Sequence, residues 1–316
     1  MLVASIACRM YYLFIMPDQS RHRMEEVCVS IVLYNNDAKE LSALLDSIAT
    51  SSRPINIVVV DNSPTDDLRA RVEAYNGTYI WHGRNCGFGG GHNIALKRTL
   101  NSSKYHLVVN PDVTFTKGVI ECLYQFMEEN PGIGLVMPQI LNQDGSEQRL
   151  CKLLPSPIDL FARRFLGQAG KALFRSRWDK YELRDLDMNV VREVPSLSGC
   201  FMFMRTSILR ETGFFDERYF MYLEDVDLCR RIGRVSQTVF YPHVSVVHGY
   251  AKGSYQDTRL LKHHISSAIK YFSKWGWFYD RERDYLNRKT KILECENQPH
   301  ATYKTIDHFN NATLKN

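Results

Sequence analysis

Apolar residues along this chain follow two alternating rhythms. Short, uninterrupted β-branched runs at residues 27–34 (VCVSIVLY), 55–60 (INIVVV) and 105–109 (YHLVV) read as strands buried on both faces. Between them, residues 37–50 (DAKELSALLDSIAT), 64–75 (PTDDLRARVEAY) and 117–130 (KGVIECLYQFMEEN) space their apolar positions three and four apart, as amphipathic helices do. TYIWH at 78–82 and GIGLVMP at 132–138 add strands, and a helix from His92 follows a Gly-rich turn. Strand–helix alternation of this kind predicts an α/β fold with a Rossmann-like, mostly parallel, doubly wound sheet. Ligands of such sheets bind beyond the carboxyl ends of the strands. Tyr34, Asp61, Asn62, Asn110 and Asp112 all stand where a strand pattern stops, so they are the first candidates.

The pattern changes past residue 140. Residues 141–150 (LNQDGSEQRL) read as a hairpin, and 151–192 lose periodicity and turn basic and aromatic, with 161–178 a helical, interfacial segment. A strand ending at Arg205 runs into a helix from Thr206, and QTVFYPHVSVVH at 237–248 is a strand. Residues 258–277 read as helical, and the last thirty or so, rich in Lys and Asn, as loosely attached. The division is therefore an N-terminal extension (1–26), a main domain (27–256) and a C-terminal helical region with a tail (257–316). The opening residues 1–16 are apolar but too short to span a bilayer, and they lack the marks of a signal peptide. They read either as a segment lying on a membrane or as an extension ahead of a start at Met24.

Charge and cysteines narrow the classes. A net charge of +5 without concentrated basic runs argues against nucleic acid and suits anionic ligands or an anionic membrane surface. The eight cysteines show no C-x-x-C pair and no zinc spacing, which points to reduced, buried thiols in a cytosolic protein.

Five stretches carry candidate chemistry. At VVVDNS (58–63), Asp61 and Asn62 suit a ribose or a nucleobase, or simply a turn. HGRNCGFGGGHN (82–93) offers glycines and a helix start to a phosphate. It fails the dinucleotide fingerprint, because His92 stands where the third glycine belongs, which disfavours a nicotinamide dehydrogenase. In LVVNPDV (107–113), Asp112 could share a divalent metal with a substrate diphosphate. His248, closing the strand at 237–248, could complete that metal shell. The fifth stretch, YFMYLEDVDLCRR (219–231), sets Glu224, Asp225 and Asp227 in an apolar, aromatic approach. That setting suits a general base, and a helix start with favourable dipole charges is the alternative.

Taken together, VSIVLYNN, IVVVDNSP, RNCGFGGGHN, LVVNPDV, SLSGCFMFMRTSILRETGFFDERYFMYLEDVDLCRR and VVHG resemble the family-2 glycosyltransferases of GT-A fold, in particular their bacterial rhamnosyltransferase-like branch. The resemblance implies a cytosolic inverting transferase that moves a sugar, L-rhamnose from dTDP-L-rhamnose by preference, onto a lipid-linked or growing glycan. It implies Asp225 as the base with Glu224 assisting. Tyr34, Asp61, Asn62, Asn85, Gly87, Asn110 and Asp112 would surround the donor, and Asp112 and His248 would hold Mg2+ or Mn2+. Asn110 departs from the family, standing where many members carry the first Asp of an Asp-x-Asp motif, which weakens the metal site. Galactofuranosyl or N-acetylhexosaminyl transfer, and a non-catalytic nucleotide-sugar-binding module, are the alternatives. The aromatic, basic segments at 161–178 and 258–279 would either meet the inner face of a membrane or pack on the core.

Overall fold

The computed structural model describes residues 25–165, 167–249 and 258–293. Residues 1–24, most of the expected N-terminal extension, and 294–316, most of the expected loose tail, lie outside the described residues. The first half alternates as the periodicity requires: β1 (Glu25–Leu33), α1 (Ala38–Ala49), β2 (Ile55–Asp61), α2 (Arg69–Glu73), β3 (Thr78–Trp81), α3 (Gly87–Thr99) and β4 (Ser103–Val109). After these come β5 (Val113–Thr114), α4 (Val119–Glu129), β6 (Ile133–Leu141), α5 (Pro157–Phe165), α6 (Gly167–Tyr181), β7 (Arg192–Glu193) and β8 (Phe201–Arg205). The chain continues through α7 (Thr206–Thr212), α8 (Glu224–Val235), β9 (Gln237–His248), α9 (Thr258–Trp275) and α10 (Arg281–Arg288).

One nine-stranded sheet organises the molecule in the order β3-β2-β1-β4-β8-β6-β9-β5, with β7 also paired to β9. β3, β2, β1, β4, β6 and β9 run the same way, while β8, β5 and β7 oppose them, so the sheet is mixed and mostly parallel. Burial on both faces explains the unbroken apolar runs. Val27, Val29, Ile31 and Leu33 of β1 face the main core, and Cys28 turns to the other side with Val58, Val60 and Ala95. α1 buries Leu41, Leu44, Leu45 and Ile48 at helical spacing, and Asp37 caps it by accepting the Lys39 N–H at 2.6 Å. β1 has β2 on one side and β4 on the other, so the strand order reverses there and a crevice opens beyond their carboxyl ends.

The Gly-rich stretch differs from its reading as a turn before a helix at His92. α3 already begins at Gly87, and the glycines are helical because neighbours press on them. A Cβ on Gly91 would stand 2.7 Å from Val32, and one on Gly89 2.8 Å from the Phe215 Cβ.

A second, smaller core joins the C-terminal helices to the sheet domain. Tyr219, Leu223, Ala268, Tyr271 and Phe272 are buried together, with Leu160, Phe161, Val226, Trp275 and Trp277 around them. Within the aromatic segment that ends α9, Tyr271 and Phe272 therefore serve as core, whereas Phe278 and Tyr279 are 88% and 74% exposed. Among the described residues, no helix is long and apolar enough to cross a membrane.

Candidate active site

β1, β2 and β3 end flush, with Leu33 opposite Asp61 and Asp61 opposite Trp81. Asp61 is buried at that edge, accepting from the Ser63 N–H at 2.8 Å and the Tyr79 hydroxyl at 2.5 Å. Burial, and then the bond to Asp61, push the Tyr79 hydroxyl up, so it stays a donor. Asn62 ties this edge to α3: its Nδ2 donates to the Gly87 carbonyl at 3.3 Å and its Oδ1 accepts from the Cys86 thiol at 3.3 Å. Tyr34 stands half-exposed at the end of β1. Trp81, which the sequence reading passed over, is equally exposed beside Asp61, with its indole N–H fixed on the Ser63 carbonyl at 3.1 Å.

The start of α3 is closed by the protein itself. Asn85 Oδ1 accepts the Gly87 N–H at 2.9 Å, and the Phe220 carbonyl accepts the Phe88 N–H at 3.2 Å. Gly87 has φ +81°, and a Cβ there would meet the Phe220 oxygen at 2.1 Å, so only glycine fits. Asn85 and Gly87 thereby position the aromatic loop that leads into α8, and those two helix N–H groups are already engaged.

Beyond β4, the short strand β5 pairs with β9 in a register that puts Val113 opposite His248. This pairing, invisible in a two-residue strand, brings Asp112 Oδ1 to 3.4 Å from His248 Nε2. Asn110 Nδ2 lies 3.3 Å from the same nitrogen. Ligands about 2.1 Å from one divalent ion and at right angles stand roughly 3 Å apart, so Asp112 and His248 fit a shared cation. Among the described residues, no group of three or more His, Cys, Asp or Glu could hold a metal. A cation here would complete its shell with substrate oxygens.

The carboxylates of α8 close the crevice. Tyr222 and Leu223, at φ +70° and +68°, turn the chain sharply into the helix in a conformation that costs about 1–3 kcal/mol per residue. Asp225 Oδ2 accepts the Gly199 N–H at 2.9 Å and its Oδ1 the Val226 N–H at 2.8 Å. Burial raises its pKa, against the pull of those two donors, yet part of its surface remains open. Glu224 is 5% exposed, and among the described residues its Oε2 has no hydrogen-bond partner. Burial, and next the charge of Asp225, push its carboxyl well above the usual carboxylate range.

One piece of backbone joins the two groups. The Gly199 N–H holds Asp225, and the next residue's carbonyl, on Cys200, accepts the Asn110 N–H at 3.0 Å. Burial, with the charges of Asp112 and Asp225 adding, pushes the Cys200 thiol up to about 12. A Cβ on Gly199 would stand 3.2 Å from the Phe88 ring and 3.4 Å from the Asp225 Cβ. Gly199 is thus a candidate site residue that sequence reasoning did not single out, its signal being a glycine ahead of a strand within one of the family-like stretches.

Asp227 belongs elsewhere. It is fully buried and accepts from Arg231 at 2.8 Å, Lys274 at 2.6 Å and the Trp275 indole at 2.8 Å, locking α8 to α9.

The Glycosyl transferase family 2 model matches residues 28–213. The chain belongs to that family. It is therefore a glycosyltransferase, with β2, β3, β4 and nearly all of β1 within the matched region. It is 29% identical over 265 residues to the N-acetylglucosaminyl-diphospho-decaprenol L-rhamnosyltransferase of Mycobacterium tuberculosis, covering 78% of this chain and 84% of that protein. It is also 27% identical over 215 residues to the low-salt glycan biosynthesis hexosyltransferase Agl10 of Haloferax volcanii, covering 67% of this chain and 62% of that protein. Among solved structures, GalNAc-T7 with UDP, GalNAc and Mn2+ matches with a TM-score of 0.58 at 15% identity, over 83% of this chain and 50% of the other. That likeness establishes the GT-A fold.

Proposed function

We propose that this glycosyltransferase moves L-rhamnose from dTDP-L-rhamnose onto a lipid-linked diphosphate sugar, with inversion, in a single displacement. The observation that carries the mechanism is the Gly199–Cys200 backbone, which fixes a half-open carboxylate on one side and the Asn110, Asp112 and His248 group on the other. Inversion needs that separation: a base for the incoming hydroxyl on one face of the sugar, and charge stabilisation for the departing diphosphate on the other.

Asp225 takes the proton of the acceptor hydroxyl as that oxygen attacks the anomeric carbon. Its raised pKa strengthens it as a base, and the two backbone N–H groups keep its geometry fixed. Glu224, pushed toward its neutral form, adds no second negative charge beside the base. Tyr34, Asp61 and Asn62 line the nucleoside end. Asp112 and His248 would hold a divalent cation that, when bound, neutralises diphosphate charge.

The activity named for the mycobacterial relative supports both donor sugar and acceptor class, since it specifies L-rhamnose and a diphospho-polyprenol. The haloarchaeal relative keeps another hexose open as donor. Phe278 and Tyr279, exposed beside the basic helix α9, suit peripheral contact with an anionic membrane, where such an acceptor resides. Salt-sensitive flotation with phosphatidylglycerol vesicles, reduced in a Phe278→Ser, Tyr279→Ser double variant, is the expected result.

The deciding experiment measures nucleoside diphosphate release and lipid product from a donor panel with N-acetylglucosaminyl-diphospho-polyprenol, with and without chelator. Turnover with dTDP-L-rhamnose alone is expected. Turnover with a UDP-hexose instead would replace the donor assignment, and unchanged rates in excess chelator would remove the cation.

A further inference from the structure

We infer that Gln148 is a positioning residue that fixes the tautomer and orientation of His248, so that Nε2 is the nitrogen offered toward Asp112. This rests on the proposed pairing of Asp112 and His248 around a divalent cation. Gln148 follows the turn at 142–146 and is 9% exposed. Its own backbone is pinned, its N–H donating to the Ile140 carbonyl of β6 at 2.8 Å.

The side-chain amide then has only one consistent orientation. Gln148 Nε2 faces two carbonyl oxygens, that of His248 at 2.8 Å and that of Leu141 at 3.4 Å. A carbonyl oxygen can only accept, so the group facing both must be the amide nitrogen, and both of its hydrogens are used. The amide oxygen is thereby turned to His248 Nδ1, at 3.0 Å. An amide oxygen can only accept as well, so Nδ1 is the ring nitrogen that carries a proton. Nε2, the nitrogen that would then ligate a cation, faces Asn110 Nδ2 at 3.3 Å and Asp112 Oδ1 at 3.4 Å, and a shared cation would bridge it to that carboxylate.

The same glutamine grips the main chain and the ring of one residue, so the ring is held at two points. Metal-binding histidines are commonly oriented by a hydrogen bond to the nitrogen remote from the metal, and loss of that partner weakens metal affinity by roughly 10–100-fold. Here the partner comes from a turn about one hundred residues earlier in the chain. β9 brings His248 beneath that turn because it pairs with β6, Leu141 lying opposite Val247.

The test titrates Mn2+ into the full chain with dTDP present, counting free Mn2+ by electron paramagnetic resonance. The wild type, Gln148→Leu, Gln148→Glu and His248→Ala are compared. Gln148→Leu is expected to weaken Mn2+ at least tenfold without changing metal-free dTDP affinity. Gln148→Glu, which can still accept the Nδ1 proton but loses both donated hydrogen bonds, should recover part of the loss. Long-range 1H–15N spectra should show the Nδ1–H tautomer for His248 in the wild type, and a mixture in Gln148→Leu. If His248→Ala weakens Mn2+ but Gln148→Leu does not, the positioning role is overturned and the metal site stands. If neither variant changes Mn2+ affinity, the metal reading falls and the role of Gln148 falls with it.

Discussion

Asp225 and Asp227 sit two residues apart on α8 and have opposite surroundings. Asp225 has two backbone N–H donors, an open flank and a pKa raised by burial. Asp227 is fully buried and saturated by Arg231, Lys274 and the Trp275 indole. Two helical residues turn about 200°, so the two carboxylates point to opposite sides of one helix. The side toward the crevice keeps a group under-satisfied, which a base requires. The side toward α9 is neutralised, and Arg230 continues it, 1% exposed and bonded to Asp280 at 2.6 and 2.7 Å beneath Trp275. One face of α8 is thus tied to α9 and Asp280 by buried ion pairs, while the other, which follows the positive-φ turn at Tyr222 and Leu223, keeps a partly open carboxylate.

The sharpest way to break the comparison is to neutralise each carboxylate in turn. Asp225→Asn should lower transfer by about 10²–10⁴-fold, the range for a general base, with donor affinity measured calorimetrically and folding both unchanged. In the wild type, kcat/KM should fall as pH drops through the raised Asp225 pKa, because protonation removes the base. A pH–rate profile whose acid limb lies at the ordinary carboxylate value of 3.8 would overturn that assignment.

Asp227→Ala should act on stability instead. It leaves Lys274 and Arg231 without their buried partner and should cost about 3–5 kcal/mol in urea unfolding. Were Asp227→Ala as stable as wild type, the anchoring face would be an ordinary surface. Gly199→Ala is expected to have an intermediate effect. The new methyl meets the Phe88 ring at 3.2 Å and crowds Asp225, so kcat should drop severalfold while stability falls by about 1 kcal/mol.

The smallest effect, and the one that sharpens the contrast, concerns Glu224. Its folded-state pKa is raised, so the native state binds a proton more tightly than the unfolded chain does. That contribution is fully present below the unfolded value near 4.5 and is lost as pH rises through the raised value. Glu224→Gln should therefore match wild type at pH 4 and become the more stable of the two at pH 8, in paired urea melts. A difference of the opposite sign would show Glu224 to be ionised and paired.

Much of this was legible in the residues. The apolar runs located β1, β2 and β4 because burial on both faces leaves no room for polar alternation. The expected strand ends delivered Tyr34, Asp61, Asn62, Asn110 and Asp112 to one edge of the sheet. The glycines from 87 to 91 were harder to read: low helix propensity suggested a turn, whereas contact with Val32, Phe215 and Phe220 makes glycine the residue a helix needs there. Residue type and helical periodicity do not separate Asp225 from Asp227, and it was the family resemblance that singled out Asp225. Trp81 and Gln148 lie in no matching motif, Gly199 is one glycine within a long one, and the places of all three depend on strands far apart in the chain.

By itself, then, the sequence determined the local elements, the α/β class, the family resemblance and a short roster of carboxylates, because those follow from spacing within a few residues. Only the tertiary structure decided which carboxylate stays open, that Asp112 meets His248 across β5 and β9, and that Gln148 touches both the ring and the carbonyl of His248. These depend on register and packing between segments up to about 140 residues apart, and contacts at that range leave no periodic mark on the chain.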